Sequence, residues 1–154
     1  MDILVVDSQG QFNQAREIFQ EYHKAIGVDL CFQNFDAELE QLERVYSSPN
    51  GLLLFALEKD LLAGCVAYRR ISETICEMKR LYIKPAFRGK GIGKALTHEV
   101  IKRSREAGYS SMRLDTLPSM EDAIELYHTL GFREIEPYYL NPIAGTKFME
   151  LLLK

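Results

Sequence analysis

The segment "RLYIKPAFRGKGIGKALTHEVIKRS", from Arg80 to Ser104, decides the fold of this chain. A run typical of a β-strand reaches a proline, and three glycines and three cations then lead into a regular helical pattern. Glycine lets a backbone come close to a ligand, and the first amides of a helix have no partner inside the helix. The segment therefore predicts a strand–turn–helix unit that binds an anion where the helix begins.

Two familiar phosphate-binding loops do not fit this segment. A nucleotide triphosphatase loop needs a glycine five residues before its Gly-Lys pair and a hydroxyl after the lysine, and those positions hold Arg88 and Ala95. The dinucleotide fingerprint needs a third glycine at a spacing where this chain has none. The pattern that does match is Arg88-x-x-Gly91-x-Gly93, placed after a strand and at the start of a helix.

Length and composition favour one soluble domain spanning residues 1–154. The hydrophobic content of 47% and the charged content of 27% are ordinary for a globular protein. A net charge of -3 disfavours a nucleic-acid partner, so the basic cluster of the loop suits a small anion. No apolar run approaches the ~18 residues of a membrane span, and the first residues do not resemble a secretory signal.

The three cysteines predict neither a disulfide framework nor a metal site, because their number is odd and no C-x-x-C pair is present. Small apolar thiols of this kind are typical of a reducing compartment, and we expect a cytoplasmic protein that needs no metal.

The pattern along the chain predicts an α/β (α+β) fold. Helices are expected over Gln11–Ile26, Phe35–Tyr46, Gly91–Ala107 and Glu121–Leu130. Strands are expected at "DILVVD", Leu52–Glu58, Leu61–Ile71, Ile75–Lys84, "SSMRLDT", "FREIEPYYL" and "TKFMELLLK". The unit from Ile75 to Asp115 is a strand–helix–strand crossover, whose two strands should lie parallel within a mostly antiparallel sheet.

The chain resembles the GNAT superfamily of N-acetyltransferases, on two signatures. The first is the Arg88-x-x-Gly91-x-Gly93 loop, and the second is "A-I-x-L-Y-x-x-x-G-F" at Ala123–Phe132. The resemblance implies a single GNAT-like domain that uses acetyl-CoA as co-substrate, with the coenzyme pyrophosphate held by backbone amides of the loop. It also implies that strand amides of Leu81 and Ile83 face the coenzyme. The implied coenzyme-binding residues are Leu81, Tyr82, Ile83, Arg88, Gly89, Lys90, Gly91, Ile92, Gly93 and Lys94.

Acetyl transfer to an amine needs a base, because a lysine-like amine is almost fully protonated at neutral pH. The resemblance makes Glu77 the first candidate and Asp115 its rival; the alternatives are a surface ion pair of Glu77 with Lys79 or Arg80, and a capping role for Asp115. Tyr127 matches the family tyrosine near the coenzyme sulfur and is the candidate acid, although a tyrosine on an amphipathic helix is ordinarily a core residue.

Strand alternation adds an expectation about side-chain direction near Glu77. It places Glu77, Lys79, Leu81 and Ile83 on one face, and Met78, Arg80 and Tyr82 on the other. One departure from the family pattern is Met120, which stands where many members have an asparagine that contacts the coenzyme.

The acceptor side is expected near the N-terminal helices and the last strands. The candidate contacts are Phe32, Phe35, Tyr138, Tyr139 and Asn141. Aromatic and amide groups suit a small-molecule amine, and the alternatives are a protein or peptide acceptor, a non-catalytic coenzyme-binding module, or a plain structured loop. Exposed strands near the C-terminus would suit a homodimer.

Overall fold

The structure is a computed structural model that describes residues 1–27, 30 and 34–154. Its strands are β1 (Asp2–Val5), β2 (Gly51–Glu58), β3 (Leu61–Arg70), β4 (Ile75–Ile83), β5 (Ser111–Thr116), β6 (Arg133–Ile135) and β7 (Lys147–Leu152). Its helices are α1 (Gln9–Ile26), α2 (Phe35–Glu40), α3 (Leu42–Val45), α4 (Ile92–Glu106) and α5 (Glu121–Thr129), with a 3-10 turn at Pro85–Phe87.

The strands form one seven-stranded sheet in the order β1-β2-β3-β4-β5-β7-β6. Within the described residues, β4 and β5 pair in parallel and the other neighbouring strands pair antiparallel. Helix α4 connects the two parallel strands, as expected for a crossover. The predicted mixed, mostly antiparallel fold is thus confirmed.

Each face of the sheet is covered by helices because each carries its own set of apolar side chains. On one face, Ile92, Leu96 and Val100 of α4 pack on the sheet, together with Tyr127 of α5. On the other face, α1 contributes Phe12, Ala15, Ile18 and Phe19, and α2 and α3 contribute Phe35 and Leu42. The helical spacing of these apolar residues explains why the helices form and which side they bury.

A β-bulge interrupts strand β4 and overturns the predicted alternation of its side chains. Ala67 of β3 lies opposite Lys79, whereas Cys65, two residues earlier, lies opposite Tyr82, three residues later. The extra residue in β4 accompanies a positive φ of 61° at Arg80.

The bulge changes which side chains share a face. Tyr82 packs in the α1 cluster and Arg80 reaches Glu38 of α2, so both lie on the face that Glu77 also occupies. Leu81 and Ile83 instead pack with Met78 against the α4 cluster. Simple alternation was wrong here because one added residue reverses every later side chain.

Two predicted elements differ from the structure by more than two residues at an end or by an interruption. The helix expected over Phe35–Tyr46 is divided at Gln41 into α2 and α3. The strand expected at "FREIEPYYL" ends at Ile135, because Pro137 has no amide to donate and the residues after it turn toward the middle of the sheet.

Candidate active site

Strands β4 and β5 separate after a short parallel stretch, and the separation opens a cleft through the sheet. Their pairing runs from Ile75 and Ser111 to Glu77 and Arg113, and no further pair forms between these two strands. A groove of about 490 Å³ lies along the end of β4. Its walls are Leu81, Tyr82 and Ile83 on one side and residues around Met120 and Ala123 on the other.

The backbone at the end of β4 directs polar groups into this groove. The Lys84 amide donates to the Ala63 carbonyl at 2.8 Å, so this amide points toward β3. Successive amides of an extended strand point in opposite directions, and the Ile83 amide therefore points to the open edge where β5 has diverged. The same reasoning applies to Leu81, two residues earlier, so both amides are placed to meet a ligand in the groove.

The glycine loop ends at the mouth of the groove. Gly89 and Gly91 both have a φ of 79°, a left-handed conformation that side chains rarely adopt. Gly91 is the N-cap of α4 and no side chain caps the helix there, which leaves the amides of its first turn available. The Arg88 side chain donates from Nε to the Ile83 carbonyl at 3.0 Å and joins the loop to β4.

Of the predicted loop residues, Ile92 has the clearest structural role. Its side chain is buried in the α4 cluster, so its contribution to a ligand is restricted to the backbone. Lys90 and Lys94 are both exposed. The Tyr82 side chain leaves the groove and donates its hydroxyl to Glu21 of α1 at 2.8 Å.

A central cavity follows the groove at the point where the strands separate. Its lining includes Tyr22, Lys79, Arg80, Asp115, Met120, Tyr127 and Asn141. The Tyr127 side chain is buried and lines this cavity. Burial, reinforced by Tyr22 and Asp115, raises the pKa of Tyr127, so the phenol keeps its proton at neutral pH.

Each of the two candidate bases accepts a hydrogen bond from a tyrosine of the loop after β6, and the two tyrosines are consecutive in the sequence. Tyr138 donates its hydroxyl to Glu77 Oε2 at 2.6 Å, and Tyr139 donates its hydroxyl to Asp115 Oδ2. Asn141 Nδ2 also donates to Asp115 Oδ2, at 3.1 Å. Burial, followed by the Glu77 charge, raises the pKa of Tyr138, which stays a donor.

Glu77 is further engaged on its other oxygen. Its side chain is 2% exposed, and Oε1 accepts from Arg69 Nε at 2.8 Å. Lys79 Nζ lies 3.8 Å from the same oxygen. The alternative ion pair with Lys79 is therefore present but long, while the alternative pair with Arg80 is absent because Arg80 binds Glu38.

A second cavity, of about 580 Å³, lies beyond the central cavity on the face covered by α2 and α3, and it is named the acceptor cavity because the predicted acceptor residue Tyr139 lines it. Lys79 lines both cavities, and Tyr139 joins them because it lines the acceptor cavity and binds Asp115 of the central one. The groove, the central cavity and the acceptor cavity thus follow one another across the sheet.

The family model for the acetyltransferase (GNAT) family matches residues 12–132. The chain therefore belongs to this acetyltransferase family. An uncharacterized N-acetyltransferase of Schizosaccharomyces pombe is 45% identical over 136 residues, which cover 87% of this chain and 83% of the relative. The sequence-based expectation of an N-acetyltransferase is confirmed.

Solved structures of the family share the fold. A GNAT-family acetyltransferase from Staphylococcus aureus superposes with a TM-score of 0.79 at 22% identity, covering 99% of this chain and 100% of that one. A putative acetyltransferase from Salmonella typhimurium, solved with its cofactor acetyl-CoA, gives a TM-score of 0.69 at 22% identity, covering 100% of this chain and 94% of that one.

The acetyltransferase cleft accommodates Met120 at the position where many members have asparagine. Met120 lines both the groove and the central cavity, and its sulfur lies 3.8 Å from the Thr116 hydroxyl. A thioether is only a weak acceptor, so this position offers the coenzyme an apolar contact in place of an amide hydrogen bond.

The predicted acceptor residues fall into three groups. Tyr138, Tyr139 and Asn141 lie beside the candidate bases, as described above. Phe35 is buried, and its ring lies 5.3 Å from the Arg80 guanidinium. Phe32 lies outside the described residues.

The sequence did not single out the charged residues that line the acceptor cavity, among them Glu38, Arg44 and Arg69. Of these residues, Arg69 could have been noticed in the sequence, because it and Arg70 are cations at the end of the apolar run of β3. Within the described ranges, no group of His, Cys, Asp or Glu is arranged to hold a metal ion. No helix in the same ranges is long and apolar enough to cross a membrane.

Proposed function

We propose that this acetyltransferase moves the acetyl group of acetyl-CoA to the primary amine of a small molecule, by direct attack while both substrates are bound. The observation that carries the proposal is the cleft itself, which continues from the coenzyme groove through the central cavity to a separate acceptor cavity. An acceptor cavity of about 580 Å³ is within the range of small-molecule sites, roughly 300–1,000 Å³.

The residues around the groove fit acetyl-CoA. The loop from Arg88 to Lys94 offers uncapped helix amides and cations to the pyrophosphate. The open strand edge at Leu81 and Ile83 offers amides to the pantetheine arm, which carries amide groups of its own. The groove ends at the central cavity, and the thioester would therefore reach the side of the cavity lined by Tyr127.

The chemistry follows from groups that line the central cavity, with Asp115 and Tyr127, and the acceptor cavity, with Glu77. The acceptor amine gives a proton to a carboxylate, Glu77 or Asp115, directly or through water, and its nitrogen attacks the thioester carbonyl carbon. The Leu81 amide stabilises the oxyanion that forms. As the carbon–sulfur bond breaks, the Tyr127 hydroxyl gives its proton to the coenzyme thiolate. The attacking nitrogen loses its second proton as the amide forms, this proton restores the Tyr127 hydroxyl, and the acetylated amine and coenzyme A are released.

The two described cysteines support direct attack over an acetyl-cysteine intermediate. Cys65 and Cys76 are both fully buried in the core. Burial raises the pKa of each thiol to about 12, so neither forms a thiolate nucleophile near neutral pH.

An acceptor screen that follows free thiol release from acetyl-CoA tests the proposal. We expect at least one small primary amine to be acetylated, with intersecting initial-velocity lines when both substrates are varied. Parallel lines would indicate a covalent intermediate and contradict direct attack.

Binding and lysate experiments separate the alternatives. We expect acetyl-CoA and desulfo-CoA to raise the melting temperature without added metal, because both bind the native state. A coenzyme-binding module without catalysis would show that shift and no turnover with any amine. A protein acetyltransferase would instead produce acetyl mass shifts on intact proteins of a lysate.

A further inference from the structure

The acceptor cavity is lined by ionisable side chains from four elements of the fold. They are Glu38 of α2, Arg44 of α3, Arg69 of β3, and Glu77 and Lys79 of β4. This cavity is the one that the proposed function assigns to the amine acceptor, and its charges indicate what else the acceptor carries.

Each carboxylate of the acceptor cavity is already neutralised by an arginine. Glu38 accepts from Arg80 Nε and Nη2, both at 2.9 Å. Glu77 accepts from Arg69 Nε at 2.8 Å. The lining of the acceptor cavity holds three cations and two carboxylates, and Arg80, which pairs with Glu38, lines the central cavity. After the two arginine pairs, Lys79 and Arg44 have no carboxylate of their own in this lining, in a chain whose net charge is -3.

The surroundings of Lys79 and Arg44 offer each cation little compensation. The nearest carboxylate oxygen to the Lys79 ammonium is Glu77 Oε1 at 3.8 Å, and Arg69 already occupies that oxygen. The exposed Arg44 side chain makes no ion pair with another of the described residues. Neither cation is therefore well compensated by the protein.

Lys79 also lies close to the groups that the proposed reaction uses. Its side chain is 9% exposed and lines both the acceptor cavity and the central cavity with Asp115 and Tyr127. Burial, with a contribution from Arg80, lowers the pKa of Lys79 to about 8, which shows how poorly the ammonium is solvated. An anionic ligand would stabilise this cation, whereas a second ammonium would be repelled.

We propose that the acceptor is an amine that also carries a carboxylate, as an amino acid does, and that Lys79 and Arg44 bind this carboxylate. The inference rests on the proposed function, since it assigns a substrate class to the same site. With its carboxylate at Lys79, the acceptor holds its amine at the border of the central cavity, beside the candidate bases. Lys79 is then a specificity-determining residue, and polyamines and surface lysines of proteins are disfavoured acceptors.

Matched acceptors test this assignment. Free amino acids should be acetylated with a kcat/KM about tenfold to a hundredfold above that of the corresponding amino acid amides, as expected for a charge-assisted contact. In Lys79→Met this preference should disappear, because the KM for the amino acid rises and its kcat/KM falls much further than the kcat/KM for the amide. Lys79→Arg should retain part of the preference because it keeps the charge.

A control variant and a binding measurement complete the test. Lys102→Met removes one exposed cation from α4, outside the cavities, and should leave both acceptors unaffected. N-acetylated amino acids, titrated into the complex with coenzyme A, should bind about tenfold or more tightly than the matching N-acetylated amides, and Lys79→Met should remove the difference. This measurement requires no turnover, and a thermal melt confirms that the variant is folded.

Two results would overturn the carboxylate site. One is equal or better acetylation of amides or polyamines by the wild type, which would leave the proposed acetyl transfer intact. The other is a failure of every N-acetylated amino acid to bind in preference to its amide. Absence of turnover with all amines, beside a preserved carboxylate preference in binding, would instead contradict the proposed function alone.

Discussion

The two sides of the cleft differ in the chemical groups that form them. The coenzyme side consists of backbone groups: the open edge of β4 and the uncapped start of α4, which approach each other at Ile83 and Gly93. The acceptor side consists of side chains, with the Glu38–Arg80 and Glu77–Arg69 pairs and the tyrosines of the loop after β6. The coenzyme side should therefore be sensitive to added bulk, and the acceptor side to removed charge or hydroxyl groups.

The largest effect is expected from Glu38→Gln. Both side chains of the Glu38–Arg80 pair are less than a tenth exposed, so the substitution leaves the Arg80 charge buried beside the bulge. We expect the free energy of unfolding to fall by about 3–5 kcal/mol, measured by urea denaturation. Glu43→Gln is the control, because Glu43 is half-exposed and pairs with Arg16 at 3.6 Å, and its loss should stay below about 1 kcal/mol. Equal losses in the two variants would show that the buried pair does not hold the acceptor side.

On the coenzyme side, Gly91→Val should strongly weaken the binding of acetyl-CoA. A β-branched side chain is strained at a φ of 79° and projects where the pyrophosphate would bind. We expect the dissociation constant of acetyl-CoA to rise by about a hundredfold or more, equivalent to about 3 kcal/mol. Gly108→Val is matched, because Gly108 also has a positive φ and open space around an added Cβ, but it lies at the other end of α4. If both variants bind acetyl-CoA normally, the loop is only a connection.

Removal of a candidate base should slow turnover without disrupting the fold. Glu77→Gln should lower kcat by about a hundredfold near neutral pH, with partial recovery in alkaline buffer as the amine loses its proton unaided. Arg69 is 44% exposed and can be solvated when its partner is removed, so the variant should remain folded. Asp115→Asn is the comparison: a full loss there, with Glu77→Gln unaffected, would assign the base to Asp115.

Tyr127→Phe removes one hydroxyl and keeps the ring that packs against Phe132. If the phenol protonates the leaving thiolate, kcat should fall by about ten- to a hundredfold while the affinity for acetyl-CoA barely changes. Stability should change little, because the ring remains and keeps its packing in the α4 cluster. Tyr109→Phe, a buried tyrosine away from the cavities, serves as the control. Unchanged turnover in Tyr127→Phe would rule out this acid.

The effect expected to be smallest over a single pH unit is a pH dependence of stability due to Lys79. The charged and titratable groups around it are Glu38, Arg69, Glu77 and Arg80. Its pKa is about 8 in the folded protein and 10.5 as a free side chain, so the unfolded chain binds more protons between these values. The free energy of unfolding should therefore rise with pH across this window, by at most about 1.4 kcal/mol per pH unit. Lys79→Met should remove that rise; an unchanged pH profile in the variant would contradict the assignment.

The sequence predicted the strand–helix–strand crossover better than the contacts between distant segments, for a physical reason. The crossover from β4 through α4 to β5 is contiguous, and glycine positions record the local conformation of the loop directly. The acceptor side depends on contacts between distant segments, such as Tyr138 with Glu77, for which no local pattern exists. The bulge at Arg80 was missed because "EMKRLYI" reads as a regular strand, and the extra residue is revealed only by pairing with β3.

Because of the bulge, the number of residues in β4 matters more for the arrangement of the cleft than which residues they are. Side chains before the bulge belong to the acceptor cavity, and the amides after it belong to the coenzyme groove. Substitutions at Lys79 can therefore reshape acceptor choice during divergence of the family without displacing Leu81 or Ile83. The loss or gain of a single codon between Glu77 and Ile83 would instead rotate the coenzyme edge out of register.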